Sequence, residues 1–138
     1  MNRQNTNLPK FKDSVTLSLP VNAAYVSAAR LTASTIANRM GFDIDEIEDV
    51  KAAVSEACIF IIRKAPVDQS GLFKIVFNIG EDFLDIAISC GKKLAEAEPE
   101  EQMGLHMIRT LMDEMISESD SGGFFMQLKK IHKLSPYS

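Results

Sequence analysis

One stretch constrains this chain more than any other: residues 43–64, running Asp-Ile-Asp-Glu-Ile-Glu-Asp-Val-Lys-Ala-Ala-Val-Ser-Glu-Ala-Cys-Ile-Phe-Ile-Ile-Arg-Lys. It predicts a single long helix. Asp43 is placed to accept backbone N–H bonds at the N-terminus, and Glu46 follows at capping-box spacing. Asp45, Glu46, Glu48 and Asp49 load the positive end of the helix dipole, and Arg63 and Lys64 load the negative end. Pro66 prevents continuation. Ile44, Ile47, Val50, Val54, Ala57, Cys58 and Ile61 recur at helical steps and form one apolar stripe. Glu56 and Phe60 are four residues apart and stack on a neighbouring face.

At 138 residues the chain has the size of one domain with its own core. Residues 1–12 are expected to be a flexible segment, 13–133 the domain and 134–138 a tail. A net charge of −4 gives no general attraction to nucleic acid or to an anionic membrane. No apolar run approaches the roughly 18 residues of a membrane span, and Met1–Pro9 lacks the apolar segment of a signal peptide. Cys58 and Cys90 are too few for a disulfide framework, which points to the reducing cytoplasm.

Val15, Leu17 and Leu19 alternate with polar residues as a half-buried strand ended by Pro20, and such a strand is a candidate edge for pairing. Asn22 is placed to cap a first helix running to about Met40, and Gly41 ends it. Asp68–Gly71 has the composition of a turn. Leu72–Ile79 and Phe83–Ser89 read as a hairpin across Gly80–Asp82. An acidic loop follows, then a third helix near Glu100–Met112 with Met103, Met107, Ile108 and Leu111 on its core side. Glu114–Glu118 and Phe124–Ile131 are the last strands, the latter with Phe124, Met126 and Leu128 on one face. Lys129, Lys130 and Lys133 read as a solvated strand end. His106 and His132 have no ligand spacing around them. Runs of helices and strands without strict alternation argue α+β, a sheet with helices on one face.

Val54-Ser-Glu-Ala-Cys58 and Met103-Gly-Leu-His-Met-Ile-Arg-Thr-Leu-Met-Asp-Glu114, in order and at consistent spacing, resemble the bacterial anti-sigma serine kinases of partner-switching systems. The resemblance spans about residues 14–132. It implies the histidine-kinase-like ATPase sandwich: a mixed β-sheet covered on one face by helices, with nucleotide between the helices and a loop. It implies binding of a sigma factor, phosphorylation of a serine on an antagonist protein with Mg-ATP, and a homodimer. It implies that Arg30 on the first helix contacts the partner, unless Arg30 is simply a solvated helix residue; Tyr25, one helical turn and a residue earlier, is placed by its spacing to share that surface.

The resemblance also marks departures. The family pairs a catalytic Glu with an Asn four residues later whose side-chain oxygen holds Mg²⁺; here Glu56 is followed by Phe60, which offers no ligand. An Asp that accepts a hydrogen bond from adenine is replaced by Cys90, a poor acceptor, with Gly91 beside it. Of the glycine-rich phosphate loop only Gly104 remains, preceded by Glu96, Glu98, Glu100 and Glu101, which repel a triphosphate. The expectation is a degenerate nucleotide pocket at Glu56, Phe60, Cys90, Gly91 and Gly104, plugged by Phe60, with no cofactor and no bound metal. The expected function is a regulator that captures a sigma factor or an antagonist-like partner without kinase activity. The alternative is an active Mg-ATP-dependent serine kinase with Glu56 as base and Ser55 or Asn38 as a substitute ligand. A sensor of an uncharged small ligand is a third reading.

Overall fold

The computed structural model describes residues 11–65, 71–120 and 122–133. The tail at 134–138, most of the N-terminal segment and most of the Asp68–Gly71 turn fall outside these residues. In chain order the elements are strand β1 (Asp13–Pro20), a 3-10 turn (Ala23–Tyr25), helices α1 (Val26–Arg39) and α2 (Ile44–Lys64), strands β2 (Leu72–Ile79) and β3 (Phe83–Cys90), helix α3 (Pro99–Leu111), and strands β4 (Glu114–Asp120) and β5 (Gly123–Ile131). No described helix is long and apolar enough to cross a membrane.

The predicted capping box of α2 is present: Asp43 Oδ1 accepts the Glu46 N–H at 2.7 Å, and Glu46 Oε1 accepts the Asp43 N–H at 2.8 Å. The box draws Glu46 inward to 6% exposure and leaves Ile44, expected on the stripe, 77% exposed. Farther along, Val50, Ala53, Val54, Ala57, Cys58 and Ile61 are buried, and Phe60 joins them, so the buried arc is broader than the stripe. Asn22 does cap, accepting from the Ala24 N–H, but it caps the 3-10 turn; α1 proper starts at Val26. At the far end of α1, Gly41 at φ +90° lets the Gly41 and Phe42 N–H groups close on the Asn38 and Ala37 carbonyls, which buries Phe42.

The sheet has the order β1-β2-β3-β5-β4, and every neighbouring pair is antiparallel, not mixed as the resemblance implied. The reason lies in the last hairpin. β4 runs in the same direction as β3 and would make a parallel neighbour if it lay beside it. β5 takes that place because Phe124, Met126 and Leu128 fill the core, whereas Glu114-Met-Ile-Ser-Glu-Ser-Asp120 suits an edge. Inward-facing rows cross the sheet in register, such as Leu17–Ile75–Ile88–Met126 and Phe73–Cys90–Phe124. These rows share one buried cluster with α1, α2 and α3. The two edges differ. β4 carries Glu114, Glu118 and Asp120, while β1 has no charge between Ser14 and Leu19.

The end of β5 is fastened to α2 and to the α3–β4 corner. Lys130, expected at a solvated end, is 7% exposed and donates to the Leu111 carbonyl at 2.6 Å and to Asp49 at 3.1 Å. Asp113 accepts the Ile131 N–H, so the Thr110–Glu114 motif serves as a structural corner. Glu46 Oε2 accepts the Lys133 N–H at 2.8 Å, and His132 lies 3.3 Å from Glu46 Oε1 against the Phe42 ring. Burial pushes the Glu46 carboxyl up, but the Lys133 and Asp43 N–H groups and the His132 imidazole outweigh it and hold it below the ordinary 4.5. A carboxylate whose folded-state value is depressed stabilises the fold above its unfolded value and loses that contribution as pH falls through its folded value. Urea unfolding should therefore separate wild type from Glu46→Gln at about pH 7, with the gap narrowing as pH falls below the ordinary carboxylate range. A gap that persists unchanged in acid would show that the carboxylate charge does not matter.

Candidate functional site

The helix layer meets along α2 and α3. Glu56, Ile59, Phe60 and Arg63 from α2 face Glu100, Glu101, Gly104, Leu105 and Ile108 from α3, with a cavity of about 50 Å³ between them. The start of α3 is stapled to the end of α2. Lys64 and Glu101 form an ion pair at 2.8 Å, their side chains 8% and 12% exposed, and the Ala95 N–H donates to the Lys64 carbonyl. Glu101 Oε1 also accepts the Glu98 N–H at 2.7 Å, within a capping box. The Lys64 ammonium and the Glu98 N–H hold the Glu101 carboxyl below its ordinary value. The Glu101 carboxylate, one of the acids expected to repel phosphate, is thus occupied in starting the helix. The spacing Glu98-Pro99-Glu100-Glu101, with proline at the first helical position, carried that signal and was missed.

Three of the five predicted pocket residues come together here. A Cβ on Gly104 would lie 3.3 Å from Glu56 Oε1, so a side chain there would press on the Glu56 carboxylate. Phe60 is 9% exposed, and its ring centroid is 5.6 Å from that of Phe124 on β5. Cys90 and Gly91 do not line this cavity. They border a separate, open depression with Glu118, Asp120, Gly123 and Phe124, so the Phe60–Phe124 pair lies between the two groups. Cys90 itself is 3% exposed. The Cys58 thiol, buried among apolar side chains, is pushed up to about 12 and is inert.

On α1, Arg30 is half-buried and donates from Nη1 to Ser55 Oγ at 3.2 Å, while Tyr25 is 45% exposed. The bond ties Arg30 to the Ser55-Glu56 motif, a link no spacing rule would have given. Met103 and Met107, expected in the core, are 73% and 45% exposed. α3 turns Leu105 and Ile108 toward α2 instead. Met112 is buried, and Met115 packs partly buried against the core.

The family described as "Histidine kinase-like ATPase domain" matches residues 19–130. Over 88% of this chain, the protein is 34% identical to the serine-protein kinase RsbW of Bacillus cereus (strain Q1), covering 87% of that relative. The chain belongs to the RsbW-type anti-sigma serine kinase family. The RsbW of Bacillus mycoides (strain KBAB4) matches at the same identity and coverage. Among solved structures, the RsbU and RsbW domains of Rv1364c from Mycobacterium tuberculosis superpose with a TM-score of 0.73 at 15% identity, over 88% of this chain and 33% of that one. The SiaB–SiaC complex from Pseudomonas aeruginosa gives 0.59 at 12% identity, over 85% and 88%. These two likenesses establish the shared fold. The resemblance to bacterial anti-sigma serine kinases read from the two motifs is therefore correct.

Proposed function

We propose that this RsbW-type protein regulates by capturing a protein partner, a sigma factor or an antagonist-like protein, without binding ATP or transferring phosphate. The observation that carries this reading is Phe60, buried against Phe124 beside a cavity of only about 50 Å³, where pockets for small ligands typically run to about 300–1,000 Å³. Mg-ATP does not fit the residues present. The position that would supply an oxygen ligand holds an aromatic ring, and the start of α3, where phosphates would sit, is filled by the Glu98–Glu101 capping box and its Lys64 partner. The degenerate pocket comprises Glu56, Phe60 and Gly104, with Cys90 and Gly91 set apart from it. Partner contact is assigned to the α1 surface at Arg30 and Tyr25, where an arginine fork pre-oriented by Ser55 suits a partner carboxylate. The edge of β1, uncharged from Ser14 to Leu19, supports pairing of two copies in the cytoplasm.

The second reading, an active serine kinase with Glu56 as base, is favoured by the name of the Bacillus relatives and by nothing in the pocket's geometry. Calorimetric titration with ATP and ADP in Mg²⁺ separates the two. The expected result is no heat and no thermal stabilisation at about millimolar nucleotide. Micromolar binding would overturn the proposal, and phosphate transfer to a candidate antagonist, abolished by Glu56→Ala, would establish the kinase reading. Arg30→Ala is expected to weaken capture of a sigma factor or antagonist at least about tenfold while leaving the unfolding free energy within about 0.5 kcal/mol of wild type.

A further inference from the structure

The face of the sheet turned away from the helices carries a feature unrelated to the nucleotide pocket. One polar row, Ser14–Asn78–Asp85–Lys129–Glu114, crosses all five strands in register. Ser14 Oγ donates to Asn78 Oδ1 at 3.0 Å, Asn78 Nδ2 to Asp85 Oδ2 at 3.4 Å, and Gln127 Nε2 to Asp85 Oδ1 at 2.8 Å. Asp85 is 5% exposed, and these bonds fix both of its oxygens. Its hydrogen-bond donors are neutral amides, and no described cation lies within ion-pair distance of it. Lys129 stands between Asp85 and Glu114 in the row yet ion-pairs with neither; its ammonium lies 4.9 Å from the centroid of the Phe83 ring. Phe11, Phe83, Asp85, Glu114, Ile116 and Lys129 enclose a depression of about 300 Å³, at the lower end of the size range of ligand sites.

A buried carboxylate is costly unless it is matched by a positive charge. This one is held rigid by its amide donors, walled by aromatic rings, and left with an excess of one negative charge after Lys129 is counted against Asp85 and Glu114. Rings and carboxylates together favour a cation that carries an apolar body, because the ring quadrupole and the carboxylate both attract it. We propose that this depression binds a small organic cation: a guanidinium, amidinium or alkylammonium group set against Asp85, with its apolar part lying on the outer side of the packed Phe11–Phe83 pair, whose ring centroids are 6.0 Å apart. Lys129 is then the chain's own competitor for the site.

The test uses the full chain with benzamidine as probe and neutral benzamide as its isosteric control, followed by NMR amide shifts. Benzamidine is expected to shift residues around Phe83, Asp85 and Ile116, and benzamide is expected not to. Asp85→Asn should weaken benzamidine at least about tenfold, equivalent to about 1.4 kcal/mol, and Lys129→Met should strengthen it by removing the competitor. If Asp85→Asn does not fold, Glu114→Gln is expected to weaken binding in the same direction. Equal binding of benzamide, shifts centred elsewhere, or weakening by Lys129→Met overturns the proposal. So does loss of the depression to self-association, read as shifts that depend on protein concentration and not on benzamidine. Nucleotide titration is independent of these outcomes, since the two sites lie on opposite sides of the sheet.

Discussion

Phe60→Ala is expected to destabilise the fold by about 3–5 kcal/mol, the loss typical of removing a buried aromatic ring from a close-packed site. The ring lies between α2, the approach of α3 and Phe124 on β5, so no single neighbour is free to collapse into the space it leaves. Against a total stability of about 5–15 kcal/mol, this would shift the urea midpoint far more than a surface change. The same variant separates two roles for the ring. A space-filling plug predicts lost stability with no gain of nucleotide binding, because the Lys64–Glu101 staple still closes α3 onto α2. An ordinary exposed aromatic would cost within about 0.5 kcal/mol. Phe60→Asn, which restores the amide implied by family resemblance, is expected to lose stability for the same reason and still not to bind Mg-ATP.

Gly123→Ala is expected to cost about 3 kcal/mol or more. Gly123 has φ +145°, a conformation that side-chain-bearing residues rarely adopt, and a Cβ there would lie 2.5 Å from the Cys90 carbonyl oxygen and 3.2 Å from Gly91 Cα. Both obstacles are backbone, so β5 would have to move away from β3 at the end where Cys90 pairs with Phe124. Circular dichroism melting would register the loss. Hydrogen exchange should place it at the Cys90–Phe124 end of the sheet and not at the Phe83–Ile131 end. Unchanged protection there would show that the close contact is relieved cheaply.

Local chemistry made much of this fold readable in advance. The Asp43–Glu46 box, the glycine after α1 and the alternation in β2, β3 and β5 each act within a few residues of themselves. What escaped were features that depend on which elements become neighbours. The inward turn of Lys130 requires Asp49 and the Leu111 carbonyl to arrive from two other elements. Lys64 and Glu101 are separated by 37 positions along the chain, so their pairing leaves no local trace. Met103 and Met107 fit a core stripe by spacing and still face outward, since a helical period fixes which residues share a face without fixing which face is covered. The antiparallel order of the sheet turned on whether β4 or β5 lay beside β3, a choice decided by the polarity of whole strands. At the site, the three substitutions were visible as letters. That Cys90 and Gly91 would stand apart from Phe60, with Phe124 between, was a matter of packing alone.

The unequal borders of the sheet set a limit on growth. A chain that adds to the bare border of β1 leaves the charged border of β4 outermost on each side, where Glu114, Glu118 and Asp120 repel a further addition. On the proposed pairing through β1, edge-on assembly would terminate after one step, and the same asymmetry would deny this sheet a fibre.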